Sequence, residues 1–224
     1  MALWVVTGAG RGLGLELARQ LRARGEQVVA TVRRTEAAAP LEALGARVEA
    51  LDVADGESVA RFGERMSGTP VDVLVNNAGR QYREASIEDL DASELVDVFA
   101  VNSVGPLRVL RALLPSLRAG EGRRVVHVTS RMGCFGEYDR PSMVGYRASK
   151  AALNMLHRCV ADELGPQGWT CVALHPGWVR TGMGGPEADL SPEESVAAML
   201  RVLDRLGPED NGALLDWQGR ALPW

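Results

Sequence analysis

The chain has 224 residues, of which 46% are hydrophobic and 24% charged, and a formal net charge of −4 at pH 7. These values are typical of one globular domain with a sizeable core, and the acidic balance argues against nucleic acid or an anionic membrane as the main partner. No apolar run is long enough to cross a bilayer, and no basic amino-terminal region indicates a signal peptide.

The cysteines and histidines give little sign of a metal site. Cys134, Cys159 and Cys171 are odd in number and show no C-x-x-C spacing. This pattern favours a reducing cytoplasmic location and argues against a cysteine-based structural zinc site. The three histidines are scattered along the chain, and we interpret them as structural residues.

The first element is predicted to be a strand leading into a phosphate-binding turn. Residues 3–7 form a short apolar run, and a helical pattern follows from about residue 15 to 25. Between them lies a glycine-rich turn. Glycines permit close backbone approach, and a helix amino terminus offers free N–H groups to a pyrophosphate. We therefore predict a dinucleotide site, rather than a plain turn, at Gly8, Arg11, Gly12, Leu13 and Gly14.

The second strand, Gln27–Val32, ends beside two arginines. In dinucleotide-binding units an acidic side chain at this place takes the ribose hydroxyls, whereas an arginine accommodates a 2′-phosphate. Arg33 occupies this place, and Arg11 in the glycine turn could reach the same phosphate. The pattern favours NADP(H) over NAD(H), unless Glu36 rather than Arg33 occupies the strand end.

Polar side chains follow the next two predicted strands, at residues 46–53 and 71–75. Asp52 can hydrogen-bond an adenine amino group or cap the next helix, for which Asp55 is the better candidate. The sequence Asn76-Asn77-Ala78-Gly79 closes the following strand. Two consecutive amides with several donors and acceptors favour a scaffolding role in a site over a plain turn.

A long helical pattern at residues 93–117 is interrupted by Gly105-Pro106. Proline has no N–H, so the carbonyl four residues earlier, that of Asn102, loses its helical partner. We expect this main-chain oxygen to hold a water molecule; a kinked core helix without function is the alternative.

The strongest chemical signal lies on the helix after the fifth predicted strand, residues 123–130. Tyr146 and Lys150 are four residues apart, so they share one helix face, and Lys150 is the only lysine in the chain. A nearby cation can lower a phenol pKa by ~1–3 units, which would let Tyr146 exchange protons near neutral pH. A chance surface pair is the alternative.

The remaining pattern completes an alternating α/β chain. A sixth strand at residues 169–174 ends in His175-Pro176-Gly177, and the glycine-rich segment 178–190 is predicted to be a flap. Ser191 begins a capping box for a helix up to residue 206, and residues 213–217 form a last strand. We predict a single doubly wound Rossmann domain over residues 1–224, with a parallel seven-stranded sheet in the order 3-2-1-4-5-6-7 and helices on both faces. All the flagged residues lie at a strand carboxyl end or on a helix just after one, which is the edge where such sheets bind ligands.

Together these motifs resemble the short-chain dehydrogenase/reductase family over essentially the whole chain. The motifs are Thr7-Gly8-x-x-x-Gly12-x-Gly14, Asn76-Asn77-Ala78-Gly79, Asn102, Ser130, Tyr146-x-x-x-Lys150 and Pro176-Gly177. The segment L-H-P-G-W-V-R-T-G-M-G-G and the ending G-A-L-L-D-W-Q-G-R-A-L-P-W are similar to the branch of the C-signalling factor and the sniffer-type carbonyl reductases.

The resemblance implies an oxidoreductase that transfers a hydride between a nicotinamide and a small-molecule carbonyl or alcohol. Tyr146 would be the general acid/base, Lys150 would hold the nicotinamide ribose and lower the Tyr146 pKa, Ser130 would orient the carbonyl, and Asn102 would hold a water. The remaining implied contacts to NADP(H) are Asp52, Val53, Asn76, Ala78, Gly79, Pro176, Gly177, Val179 and Thr181.

One spacing departs from the commonest family pattern. Ser130 precedes Tyr146 by 16 positions, three more than is commonest, although the longer loop matches the suspected branch. Ser130 is kept, with Thr129 as the other candidate. A short flap favours a small or partly exposed substrate. Two alternatives remain, a dinucleotide-binding signalling or sensor protein with little turnover and an interaction protein that retains the fold. Helices 93–117 and 146–164 could also form a homo-oligomer.

Overall fold

The structure is a computed structural model that describes residues 1–84, 86–139 and 142–224. Strands and helices alternate along the chain. The strands are β1 (Leu3–Val6), β2 (Gln27–Val32), β3 (Arg47–Ala50), β4 (Val73–Asn76), β5 (Arg124–Val128), β6 (Thr170–His175) and β7 (Ala213–Asp216). The α-helices are α1 (Gly12–Ala23), α2 (Ala39–Ala43), α3 (Gly56–Arg65), α4 (Ala92–Phe99), α5 (Gly105–Ala119), α6 (Val144–Leu164) and α7 (Pro192–Leu203).

The seven strands form one sheet in the order β3-β2-β1-β4-β5-β6-β7, and every pairing is parallel. The order changes direction at β1, where β2 lies on one side and β4 on the other. The predicted doubly wound fold is therefore confirmed. This change of direction opens a crevice at the carboxyl ends of β1 and β4.

Side chains of each strand alternate between two cores, one on either face of the sheet. In β1, Trp4 and Val6 pack with α1 and α7, whereas Val5 packs with α3 and α5. This period of two explains why the parallel strands are continuous apolar runs, because both faces are covered by helices. Leu17 of α1 and Phe62 of α3 are both fully buried.

The helix predicted at residues 93–117 is divided in the structure. A π-helical turn, Ala100–Val104, separates α4 from α5, and Pro106 lies at the start of α5. The N–H of Gly105 donates to the carbonyl oxygen of Ala100, five residues earlier, instead of making the usual α-helical bond. The predicted interruption is confirmed, and it takes the form of a π turn.

Two predicted caps are confirmed. The carboxylate of Asp55 accepts a hydrogen bond from the N–H of Glu57 at the start of α3. Ser191 and Glu194 form the capping box of α7, although this helix ends at Leu203 and not at residue 206. Asp52 accepts a bond from the N–H of Ala54 and does not cap α3. Among the described residues, no helix is long and apolar enough to cross a membrane.

Candidate active site

The glycine turn between β1 and α1 is shaped by close backbone contacts. Gly8 and Gly12 have φ angles of 65° and 55°, which are unfavourable for residues with a side chain. A Cβ on Gly14 would lie 2.5 Å from the carbonyl oxygen of Gly8 and 2.6 Å from Nδ2 of Asn77. Helix α1 has no side-chain cap at Arg11. The first N–H groups of α1 are therefore left for a ligand.

Thr7 and Asn77 hold this turn to the end of β4. The Asn77 amide donates to the carbonyl oxygens of Thr7 and Gly8, at 2.8 and 3.2 Å. The Thr7 hydroxyl accepts bonds from the N–H groups of Asn77 and Ala78, each at 3.0 Å. Asn76 instead donates to the carbonyl oxygen of Pro106 at 3.4 Å. The predicted scaffolding role thus belongs mainly to Asn77, which the predicted contact residues omitted together with Thr7.

The side chains predicted to surround the adenosine half lie beside β2 and β3. Strand β2 ends at Val32, so Arg33 is the first residue beyond it, whereas Glu36 belongs to the 3-10 turn Thr35–Ala37. Arg33 and Arg11 are both exposed. Arg33, and not Glu36, therefore lies at the end of β2.

The flap at residues 178–190 crosses the glycine turn. A Cβ on Gly12 would lie 3.4 Å from Cγ2 of Thr181, so the two segments are in contact. The Thr181 hydroxyl accepts a bond from the N–H of Gly184, and Val179 forms a bridge with Leu190. These bonds hold the flap together internally. Ser195 anchors its base by donating a 2.6 Å hydrogen bond to the carbonyl oxygen of Pro176.

Tyr146 and Lys150 lie on the buried face of α6, as their spacing predicts. Only 9% of Tyr146 and 4% of Lys150 are exposed to solvent. The Lys150 ammonium lies 5.9 Å from the centre of the Tyr146 ring and donates a 2.8 Å hydrogen bond to the carbonyl oxygen of Val128. A surface pair is thereby excluded, because both side chains are in the protein interior.

The expected lowering of the Tyr146 pKa by Lys150 is not found. Burial raises the pKa of Tyr146 to about 12, and a hydrogen bond with the side chain of Ser130 opposes this rise only in part. Burial also lowers the pKa of Lys150 to about 8. The reason is that desolvation disfavours the charged form of both groups, and it is the largest cause of both shifts. Tyr146 is accordingly a neutral phenol at pH 7.

The two hydroxyls at the end of β5 point to different partners. Thr129 donates a 2.5 Å bond to Oδ1 of Asn154, and both residues are buried. The Ser130 hydroxyl accepts a bond from the N–H of Met132, and the Ser130 side chain acts on Tyr146 by lowering the pKa of its phenol. Of the two candidate hydroxyls, only that of Ser130 therefore lies next to the phenol of Tyr146.

Asn102 is fully buried in the π turn and links three segments. Its Oδ1 accepts a 2.8 Å bond from the N–H of Arg80, and its Nδ2 donates to the carbonyl oxygen of Arg80 at 2.8 Å and to the Ser149 hydroxyl at 3.0 Å. Ser149 precedes Lys150 on α6. The side chain of Asn102 thus ties the loop after β4 to the helix that carries the phenol and the ammonium.

Comparison with known proteins agrees with this geometry. The family model described as short chain dehydrogenase matches residues 2–190. The chain belongs to the short-chain dehydrogenase/reductase family. C-signal from Myxococcus xanthus is 48% identical over 163 residues, which cover 73% of this chain and 98% of C-signal. The 1-hydroxy-2-glutathionyl-2-methyl-3-butene dehydrogenase of Rhodococcus sp. strain AD45 is 34% identical over 231 residues and is matched over 100% of both chains.

Solved structures of short-chain dehydrogenases/reductases superpose over the whole chain. The NADPH-bound carbonyl reductase from chicken fatty liver has a TM-score of 0.90 and 33% identity, with 100% of both chains covered. The carbonyl reductase Sniffer of D. melanogaster has a TM-score of 0.93 and 30% identity, covering 100% of this chain and 99% of Sniffer. The chain is therefore a nicotinamide-dependent oxidoreductase of the CH–OH/C=O class, in the C-signal and sniffer-type branch.

The residues present fit the nicotinamide dinucleotide that the family uses. The space that a Cβ at Gly14 would fill is closed by backbone and by Asn77, while the uncapped start of α1 leaves donors for a pyrophosphate. Ala78 lies against Gly8, and Val53 lies against Gly105. Ala78 and Val53 both lie beyond the carboxyl ends of strands, Ala78 after β4 and Val53 after β3.

Two contacts between residues that are distant in the sequence were not predicted. His127 and His157 are far apart in the sequence, but their ring centroids are 5.4 Å apart in the core. Neither ring nitrogen of His127 has a hydrogen-bond partner among the described residues. The loop after β4 also contacts the start of α6 through Glu84. No local pattern indicates these contacts, because each joins residues brought together only by packing.

Proposed function

We propose that this protein is an NADP(H)-dependent reductase of small-molecule carbonyl compounds, with Tyr146 as its general acid/base. The observation that carries the proposal is the burial of Tyr146 and Lys150 on one face of α6, with Lys150 bonded to the carbonyl oxygen of Val128, two residues before Ser130. A serine hydroxyl and a phenol that lie side by side can both donate a hydrogen bond to one carbonyl oxygen. This arrangement lies at the strand ends that also carry the glycine turn.

The chain's own groups supply the binding of the carbonyl and the proton. The chemistry that NADPH would supply when bound is transfer of a hydride to the carbonyl carbon. The Ser130 hydroxyl orients the carbonyl oxygen, and the neutral phenol of Tyr146 donates its proton to that oxygen as charge develops there. The Lys150 ammonium, held by the carbonyl oxygen of Val128, stabilises the resulting phenolate. A pKa of Tyr146 raised to about 12 keeps the phenol protonated before the transfer, which suits the direction of reduction.

The preference for NADP(H) over NAD(H) rests on two arginines. Arg33 follows the last residue of β2, and Arg11 is the residue before α1. Both are exposed, so their guanidinium groups are accessible to a 2′-phosphate, whose oxygens suit the guanidinium geometry. Two similar proteins, the carbonyl reductase from chicken fatty liver and a short-chain dehydrogenase/reductase from Burkholderia multivorans, have structures with bound NADPH and NADP, respectively.

Asn102 is proposed to maintain the route by which Tyr146 regains its proton. Its side chain binds Arg80 and Ser149, and it lies in the π turn next to α6. We propose that its main-chain oxygen holds a water molecule that connects Lys150 with solvent. This role depends on the interruption at Pro106, which removes an N–H donor from the helix.

Signalling with little turnover is the second candidate, because the 48% identical relative is named C-signal. The two candidates differ in what Tyr146 must do. A panel of aldehydes, ketones and diketones is assayed with NADPH, using the parent protein, Tyr146→Phe and the control Tyr138→Phe, whose side chain is 62% exposed. We expect turnover that falls by about 10²–10⁴-fold only in Tyr146→Phe, the range for a lost general acid. Turnover at the background rate in all three proteins would support the signalling candidate.

The proposal includes pairing of two copies through α4, α5 and α6. Val96, Val104 and Met155 of this region are 68%, 39% and 65% exposed, so they do not serve the packing on the sheet. Sedimentation of the parent and of Met155→Glu tests this pairing. A parent that remains monomeric at high concentration would contradict it.

A further inference from the structure

The loop after β4 contacts three separate parts of the site. We call residues 80–84 the bridging segment. Its Arg80 exchanges two backbone hydrogen bonds with the Asn102 side chain, each 2.8 Å long. Its Arg83 donates a 2.9 Å bond to the carbonyl oxygen of Met183 in the flap. Its Glu84 accepts a bond from the N–H of Val144, the first residue of α6.

The start of α6 has no cap of its own. Met143 occupies the cap position with a left-handed backbone, φ 55° and ψ 45°, and its side chain makes no capping bond. A methionine in this region of φ and ψ is unusual, and it offers no oxygen to the free N–H groups of the first turn. Tyr146 is the third residue of that turn. The phenol is thus carried by the least supported part of the helix.

Glu84 supplies the missing cap from 60 residues away in the sequence. Its Oε1 accepts the Val144 N–H, and a carboxylate at a helix amino terminus is also favoured by the helix dipole. Its Oε2 is buried without a partner among the described residues, so no other donor there competes for the carboxylate. Tyr82 packs against the same turn of α6, because a Cβ on Gly145 would lie 2.9 Å from its ring carbon Cδ1.

We propose that Glu84 is a positioning residue that holds the first turn of α6, and with it the phenol of Tyr146, against Ser130. The inference rests on the proposed function, in which Tyr146 donates the proton. Without the cap the first turn loosens, and the phenol loses its alignment with the Ser130 hydroxyl. Misplacement by ~1 Å can lower a rate by about 10²-fold. The glycine turn belongs to a different element, and Lys150 lies beyond the first turn of α6, so we expect the affinity for NADPH to change little.

The test compares Glu84→Ala with Glu84→Gln, whose amide oxygen can still accept the Val144 N–H. Glu88→Ala is the control, because Glu88 is an exposed carboxylate of the same loop. With a carbonyl substrate and NADPH, we expect kcat of Glu84→Ala to fall by about tenfold or more while KM for NADPH stays the same. Glu84→Gln should recover kcat to within about threefold of the parent, since most of a cap is its acceptor. Glu88→Ala should match the parent.

Amide hydrogen exchange of residues 144–147 gives a readout that does not need turnover. We expect faster exchange there in Glu84→Ala, and parent-like exchange in Glu84→Gln and Glu88→Ala. Parent-like kcat and exchange in Glu84→Ala would overturn the inference. So would a fall in kcat that is matched by a rise in KM for NADPH, or one that Glu84→Gln does not recover. A parent without any reductase activity would instead overturn the proposed function, and the exchange data would still decide the cap.

Discussion

Lys150 on α6 donates a 2.8 Å hydrogen bond to the carbonyl oxygen of Val128, the last residue of β5. Ser130 lies two residues beyond Val128, and its side chain acts on the phenol of Tyr146. The helix that carries the phenol is therefore tied by the ammonium to the strand that carries the serine. A buried charge used in this way is expected to cost stability, and the first prediction measures this cost.

Replacing the ammonium of Lys150 is expected to abolish reduction while making the protein more stable. Burial lowers the pKa of Lys150 from 10.5 to about 8, which corresponds to ~3 kcal/mol of unfavourable free energy for the charged form at pH 7. Lys150→Met removes this cost but leaves the Val128 carbonyl without its donor, so a gain of about 1–2 kcal/mol in the free energy of unfolding is expected. Urea unfolding at pH 7 measures it. A loss of more than about 1 kcal/mol would contradict the prediction.

The rate of carbonyl reduction is expected to fall as the pH rises through about 8. Lys150 has a pKa lowered to about 8, so it is charged below this pH and loses its charge above it. Tyr146, with a pKa raised to about 12, stays protonated over the same interval and does not cause the fall. The measurement is kcat/KM between pH 6 and 10. A profile that stays flat to pH 10 would show that the ammonium charge is not needed.

Gly14→Ala is expected to weaken cofactor binding and to destabilise the fold, whereas Gly56→Ala should do neither. The new Cβ at residue 14 would lie 2.5 Å from the carbonyl oxygen of Gly8. At residue 56, no atom of the described residues lies within 4 Å of the new Cβ, apart from its chain neighbours and the backbone of its own helix. Overpacking of this kind costs about 1–3 kcal/mol, and an unhindered glycine to alanine change is neutral or slightly stabilising. Thermal unfolding with and without NADP+ compares the pair. Equal shifts on adding cofactor would disprove the cradle at Gly14.

Arg33→Glu is expected to reverse the preference between the two nicotinamide cofactors. A charge-assisted hydrogen bond contributes ~1.5–3 kcal/mol, so its loss should lower the ratio of kcat/KM for NADPH to that for NADH by about 10–100-fold. The control is Glu36→Gln, because Glu36 lies beyond the strand end in the turn Thr35–Ala37. If Glu36→Gln changes the ratio and Arg33→Glu does not, Arg33 is not the phosphate-binding residue.

The protein is expected to lose stability as the pH falls from 6.5 towards 4. Burial lowers the pKa of His157 from 6.5 to about 4, so within this interval the unfolded chain binds a proton that the folded protein does not. The free energy of unfolding therefore falls with the pH, by up to ~3 kcal/mol at pH 4 for this residue. The variant His157→Phe keeps a ring next to His127 and Trp224, which the native ring contacts. Urea unfolding at pH 7 and 4.5 should show a smaller pH dependence in this variant; an unchanged one would refute the role of His157.

Much of the fold could be predicted from the sequence because its signals are local. Apolar runs, the glycine turn after β1 and the caps at Asp55 and Ser191 each depend on residues within a few positions of one another. The rule that parallel strands connect through helices then arranges these elements into one sheet. The i, i+4 spacing of Tyr146 and Lys150 likewise places both on one face of α6.

The choice between neighbouring candidates could not be made from the sequence. Thr129 and Ser130 are both hydroxyls at a strand end, and only the position of Asn154 shows that the Thr129 hydroxyl is already engaged. The direction of the Tyr146 pKa was predicted wrongly for a related reason. Spacing shows that a cation is near, but it does not show how much of the phenol is removed from water.

The sequence by itself determined the order of the elements, the family and the candidate reacting side chains, because helical and strand periods and short motifs act over a few residues. Only the tertiary structure decided which distant groups meet, such as His127 with His157 and Glu84 with Val144. It also decided how burial shifts the pKa values of Tyr146 and Lys150. The physical reason is that contacts between distant residues and desolvation depend on the packing of the whole chain, which no local pattern records.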